Sequence, residues 1–303
     1  MNKKGLKLVF LTAIISGFSI FINKFGVKGI NPYIFTFGKN LIVLLFLFST
    51  ILLFKKFSQL KKLQTKQWIK LAVIGLVGGS IPFLLFFKGL SITSGASAAF
   101  IHKTMFIYVI FFAAMFLKEK INKKVLAGAA ILLISNFLLL KLNSFAFNIG
   151  DLLILCAALF WAAENTISKH ALKTINPTLV AFGRMFFGSS FILIFLIASG
   201  NIKHIVTLTT SHVLWAAVTS SFLFAYLITW YSGLKHVKVS IATSILLLGS
   251  PITTLLSFTF LDTAVSLSQL AGILLIPLGI LFVLIGYQRH KHVLILGERH
   301  GWN

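Results

Sequence analysis

Cysteine is all but missing. Cys156 stands alone among 303 residues, which excludes an internal disulfide framework and a four-cysteine zinc site. Acidic residues are almost as scarce, with five in the whole chain. Charged residues of both signs reach only 11%, where a soluble domain carries roughly a quarter. Also lacking are a phosphate-cradling glycine loop, a Walker lysine motif and, within the apolar runs, any histidines at metal-ligand spacing. The exception is His290 and His292 in the tail. ATP drive within the chain, a metal and a cofactor are therefore not expected. What fills the space is apolar: 58% of residues are hydrophobic, Phe alone occurs 32 times, and the mean hydropathy is +0.98. Such a chain cannot cover a soluble surface, so the lipid bilayer is its expected solvent.

The net charge of +23 would suit a nucleic-acid binder if it were gathered on one polar face. It is instead scattered in short clusters between apolar runs, the pattern of loops on a multi-pass membrane protein, and nucleic acid is excluded as a partner. A helix needs roughly 20 apolar residues to cross about 30 Å of hydrocarbon. Ten segments qualify: 8–27, 33–54, 68–88, 94–117, 123–140, 149–170, 177–199, 211–234, 238–261 and 266–287. Residues 1–7 and the apolar run after them imitate a secretory signal peptide, but no small-x-small cleavage site follows, so they read as the first span. With the N-terminus inside, the inner segments hold 19 lysines and arginines. The outer loops hold four: Lys28, Lys88, Lys141 and Lys203. That bias predicts both termini in the cytoplasm and an even number of spans, in an inner or plasma membrane.

The two halves repeat one another. Ile-Asn-Pro and Phe-Gly of residues 30–38 recur in 175–183 at an offset of 145, which also sets Lys24 on Lys169 and Lys39 on Arg184. At an offset of 144, Gly89-Leu90 falls on Gly233-Leu234, Ala98 on Ala242 and Gly128 on Gly272. The correspondence runs through five helices of each half, and five is odd, so the second copy must enter the bilayer from the opposite side. The predicted fold is thus an all-α integral membrane protein of ten transmembrane helices arranged as two inverted five-helix repeats. The repeats take residues 1–145 and 146–287, with a basic cytoplasmic tail over 288–303. Inverted repeats are the architecture of secondary transporters, whose substrate sits near the midplane between the halves.

The second half opens Gly150-Asp151-Leu-Leu-Ile-Leu-Cys-Ala-Ala-Leu-Phe-Trp161-Ala. Lys24 and Lys169 close the first helix of each half. Lys39 and Arg184 stand early in the second helix, and the fourth helices end near an acid, at Leu117-Lys118-Glu119 and Leu261-Asp262. In these respects the chain resembles the EamA family of the drug/metabolite transporter superfamily over residues 6–287. The family's proline in the fourth helix is matched by Pro251 in the second half. In the first half residues near Met105–Ile107 replace it, and His102-Lys103 and Glu164 are further departures.

An ionisable side chain at membrane depth marks a functional site unless it is paired or wet. Lys103 and Glu164 lie closest to mid-helix. Lys24, Lys39, Lys169 and Arg184 sit nearer helix ends, where snorkelling is cheap. In the ninth span Ser240, Thr243, Ser244, Pro251 and Thr254 share one face, and Lys103 matches Leu247 on the equivalent face of the fourth. In the sixth span Trp161, Glu164, Asn165 and Ser168 share a face, matched in the first span by Ser16, Ser19, Ile20 and Asn23. In the eighth Thr219, Phe222, Tyr226, Thr229 and Gly233 align beside Trp230. These faces predict a central cavity bounded by spans 1, 3, 4, 6, 8 and 9. Its candidate substrate-binding residues are Lys103, Glu164, Trp161, Asn165, Tyr226, Trp230, Ser244 and Ser19. Lys103 would hold an anionic group, and Trp161, Tyr226 and Trp230 would offer stacking surface. Glu164 would take an ammonium or carry a coupling proton; the alternative is that Glu164 and Lys103 simply pair with each other. His102, Gly75-x-x-x-Gly79 and Glu119 read as packing and anchoring residues. Pro82 and Pro251 should loosen or kink their helices. Gly272, Gly279 and Gly286 leave room on the last span either for a homodimer face or for lipid.

The resemblance, with five basic residues against one acid inside the spans (Lys24, Lys39, Lys70, Lys103 and Arg184 against Glu164), implies a particular cargo. It is an amino acid or a related anionic or zwitterionic metabolite, exported by alternating access. A membrane enzyme would need a convergent acid, base or nucleophile cluster, and none is found. A scaffold would need no polar faces inside the bundle, and at least three spans have them.

Overall fold

The computed structural model describes residues 2–26, 29–90, 92–93, 95–119, 121, 123–139, 148–261 and 265–299, and for residues 24, 90, 95–97, 99, 261 and 287–299 the backbone alone. Asp262, Lys28, Lys141 and the side chains of Lys24 and the tail, all invoked above, lie outside the described residues. No strand occurs among the described residues. The helices are α1 (Lys3–Gly26), α2 (Pro32–Leu53), α3 (Phe57–Lys61), α4 (Thr65–Ile74), α5 (Ile81–Leu90), α6 (Gly95–Lys103), α7 (Met105–Leu117) and α8 (Lys123–Leu139) in the first half. In the second they are α9 (Ile149–Ala171), α10 (Pro177–Ala198), α11 (Thr210–His236), α12 (Val239–Ile245), α13 (Gly249–Leu261) and α14 (Leu267–Arg299). A π-helical turn, Gly75–Ser80, joins α4 to α5, and a 3₁₀ turn, Leu246–Leu248, joins α12 to α13. Among the described residues nine helical stretches are long and apolar enough to cross a membrane. The fifth expected span is α8, whose 17 residues reach about 26 Å.

The repeated Ile-Asn-Pro has a local cause. Asn31 and Asn176 are N-caps. Asn31 Oδ1 accepts from the amides of Tyr33 and Ile34, Asn176 Oδ1 from that of Thr178, and a proline follows at the first helical position of α2 and α10. The cap satisfies amides that have no helical partner, and proline has none to leave bare.

Packing is reciprocal between the halves. α1 lies against α11 and α13, and α9 against α5 and α7; α2 meets α10, and α8 meets α14. The first helix of each half thus packs on the third and fourth spans of the other. Glycines set the closest approaches. Gly75 and Gly79 abut Phe187 and Gly188 of α10, so this pair works in packing as expected. Gly272 and Gly279 do not form a free face for a second copy. A Cβ on Gly272 would meet Ser135 O at 2.8 Å, and one on Gly279 would meet Leu132 Cγ at 2.7 Å. Their small size is spent on α8 of the same chain.

Candidate functional site

The third span supplies the centre. Pro82 has no amide, so the carbonyl of Gly78, four residues earlier, loses its helical donor. The π turn is a local answer to that lesion, since its wider loop passes the mismatch along the helix. Two side chains take up the freed carbonyl: Trp161 Nε1 donates to Gly78 O at 3.1 Å and Arg184 Nη2 at 3.0 Å. Asn40 Nδ2 donates to the next carbonyl, Gly79 O, at 3.1 Å. Pro82 therefore does more than loosen a helix, since it presents backbone oxygen to α9 and α10.

Around this point a charged cluster closes. Arg184 Nη1 donates to Glu164 Oε2 at 3.4 Å and to Tyr231 Oη at 3.1 Å. Tyr231 Oη donates to Glu164 Oε1 at 2.7 Å, and Ser168 Oγ to the same oxygen at 2.5 Å. Glu164 is 1% exposed and Arg184 6%. This corrects two sequence expectations. The acid pairs with Arg184, not with Lys103. Arg184 does not snorkel either: it is the eighth residue of α10, roughly 10 Å below the helix start, and its charge is met by carboxylate and carbonyl. Lys39 is likewise buried, and its Nζ donates to Asn23 Oδ1 at 2.7 Å.

Lys103 ends α6, and Thr104 interrupts the fourth span before α7. The ninth span breaks at the matching place, because Thr104 plus 144 is Leu248, the last residue of the 3₁₀ turn. There Pro251 withholds an amide from Leu247. Lys103 is half-buried and, among the described residues, its ammonium has no hydrogen bond or ion pair. Beside it His102 packs edge-on against Trp161, centroids 5.0 Å apart, and against Phe86 at 5.5 Å. Phe83 and Phe86 flank Trp161 as well, at 5.4 and 5.5 Å. His102 thus serves in packing, as its sequence context suggested.

The remaining candidates divide. Asn165 accepts from Trp230 Nε1 at 3.1 Å, and Tyr226 stacks on Trp230 at 6.1 Å, so these three form one unit on α9 and α11. Ser244 is fully buried and donates to Ser240 O within its own helix. Ser19 accepts from Asn23 Nδ2 at 3.1 Å. Sequence reading set Ser168 on the face of Glu164, where the hydrogen bond between them forms, but missed Arg184, Tyr231 and Gly78 as members of the same network. The visible signal for Gly78 was its place four residues before Pro82.

Two further clusters tie the bundle at the end where α9 stops. Lys118 takes a left-handed conformation (φ 53°) and turns Glu119 toward the start of α12. Glu119 accepts from Val239 N at 3.0 Å and Ser240 Oγ at 2.5 Å, an anionic cap on a helix N-terminus. Lys169 Nζ donates to the carbonyls of Leu234, Lys235 and Val237 at 2.6, 3.3 and 2.7 Å, where α11 ends. The turn between α11 and α12 is held from both sides.

Stacked apolar spans, two half-chains packed reciprocally and a charged network at their junction define a multi-pass membrane protein. The sequence profile of the EamA-like transporter family matches residues 3–141 and again 148–285, and the chain belongs to that family. It is 26% identical to an uncharacterized transporter of Archaeoglobus fulgidus over 82% of this chain and 86% of that one. A second uncharacterized transporter from the same organism is 27% identical over 92% and 84%. The uncharacterized transporter YyaM of Bacillus subtilis is 26% identical over 75% of each. One crystal structure superposes with a TM-score of 0.75 at 18% identity, covering 94% of this chain and 98% of its own, a likeness of fold alone.

Proposed function

We propose that this transporter exports small anionic or zwitterionic metabolites, amino acids or close relatives, from the cytoplasm across the cell membrane by alternating access. The halves, residues 1–145 and 146–287, act as inverted repeats, with both termini and the basic tail (288–303) cytoplasmic. The observation that carries the reading is the pair of helix interruptions at matching positions, Thr104 and Leu246–Leu248. Discontinuous spans at a repeat interface are where secondary transporters place substrate. At one of these interruptions stands Lys103, a cation without a counter-charge among the described residues, beside the His102, Phe86 and Trp161 rings. Lys103 takes the substrate's carboxylate, and the ring wall takes its apolar part. Glu164, held by Arg184, Tyr231 and Ser168, is the acid through which a proton would couple to the cycle.

Uptake from a mixed metabolite pool into proteoliposomes, resolved by mass spectrometry for both protein orientations, tests this. Selective accumulation of carboxylates or amino acids, lost in Lys103→Ala at equal folded yield, is the expected result. Accumulation that Lys103→Ala leaves unchanged removes the lysine from the site. Folded protein that accumulates nothing under imposed proton and sodium gradients overturns the transport reading.

A further inference from the structure

Around their first and second spans the two halves can be matched position for position. At an offset of 145, Ser19 falls on Glu164, Asn23 on Ser168 and Lys39 on Arg184. The contacts match as well. Asn23 Nδ2 donates to Ser19 Oγ at 3.1 Å and to Ser19 O at 2.7 Å, as Ser168 Oγ donates to the side chain of Glu164. Lys39, like Arg184, reaches from the second span of its half to the first. One element is different, because serine stands where the second half has its carboxylate.

Lys39 is left with an unbalanced charge. It is 8% exposed. Its ammonium carries three donors, and among the described residues a single acceptor, Asn23 Oδ1 at 2.7 Å, meets them. The face of Phe35, 5.3 Å from Nζ, adds a weak attraction. No carboxylate among the described residues pairs with it. A buried cation without a counter-ion is unfavourable, and at the equivalent place in the other half the chain supplies one. Ser19 and Asn23, the two residues at the place equivalent to the Glu164 and Ser168 pair, are only half-buried, whereas Glu164 and Ser168 are buried.

We propose that Lys39, Asn23 and Ser19 form a second anion site, in which the carboxylate of a small organic acid takes the position that Glu164 occupies in the other half. Lys39 supplies the charge and two free donors, and the Ser19 hydroxyl turns to donate a third. The site is separate from Lys103 and does not depend on transport for its test.

The full-length protein in detergent is titrated with acetate, propionate and butyrate, against their amides, inorganic phosphate and chloride at matched ionic strength, with Tm as the readout. The carboxylates are expected to raise Tm in a saturable way and the amides are not. Lys39→Gln should weaken that response at least about tenfold, the loss of a charge-assisted contact. Ser19→Glu supplies the absent acid from within, so it should raise Tm without ligand and abolish the response, whereas Ser19→Gln should do neither. A response to phosphate that exceeds the carboxylates would reassign the site to phosphate esters and overturn the carboxylate assignment. A wild-type protein indifferent to carboxylates, a response that survives Ser19→Glu, or equal Tm values for Ser19→Glu and Ser19→Gln each overturn the proposal. Loss of uptake in Lys103→Ala with the Tm response intact would separate this site from the one at the helix break.

Discussion

The first and second halves share a fold but treat buried charge differently. In the second, Arg184 is closed in by Glu164, Tyr231 and the Gly78 carbonyl. In the first, Lys39 has one amide oxygen and an aromatic face. Duplicated architecture therefore need not mean duplicated chemistry: one acid, present or absent at a single helical position, decides whether the cation is neutralised from within. The neutralised half behaves as a crosslink among the π turn, α9, α10 and α11, and the other keeps its charge available.

The largest effect should come from opening the closed half. Arg184→Met leaves Glu164 buried beside two hydroxyls and no cation, and should cost about 3–5 kcal/mol of stability, read as a fall in Tm. Adding Glu164→Leu should recover much of that loss. Equal losses in the single and double variants would show that the pair is not coupled. The same Glu164→Leu change should leave the Lys39 response to carboxylates intact, which sharpens the contrast between halves.

A smaller loss is expected from Gly78→Ala, whose methyl would fall on the Glu164 side chain. Overpacking of this kind typically costs about 1–3 kcal/mol. The comparison to make is Ala at Phe222, its match in the eighth span. Phe222 takes part in no ion pair among the described residues, and its loss should cost stability through lost packing. If Gly78→Ala proves silent, the close fit of the third span to Glu164 is not needed to hold the network.

The smallest effect belongs to the periphery. Glu119→Gln keeps the bond accepted from Val239 N on its Oε1, reverses the other so that Nε2 donates to Ser240 Oγ, and removes the charge from the start of α12. It should cost on the order of 0.3–1 kcal/mol, and less at high salt. A loss as large as that from Arg184→Met would mean that the ends of the bundle, and not its middle, hold the halves together.

Much of the fold could be read in advance, and the particulars show why. Span positions follow from apolar run length, and the helix starts at Pro32 and Pro177 follow from Asn-Pro, both local properties. Lys103 and Glu164 stood out because charge is rare in these segments. Their partners did not, because a partner is set by which helices touch. Arg184 lies twenty residues from Glu164 on the neighbouring helix and was placed near a helix end by its sequence position. The π turn leaves no mark in a 3.6-residue pattern, although the Gly78–Pro82 spacing announces a carbonyl without its donor. The last-span glycines showed closeness to something, and only the packing of α8 says to what.

The grip on the turn between α11 and α12 has a consequence of its own. One ammonium serves three carbonyls while one carboxylate serves an amide and a hydroxyl. Parting α11 from α9 strips all three carbonyls together, and parting α12 from Glu119 strips the other two groups. The turn lies at the ends of two spans, beside the exposed Lys235 and His236, so water takes up these groups as the contacts break. Separation at this end of the molecule is therefore a wetting event, and its rate should slow under osmotic stress from solutes too large to enter.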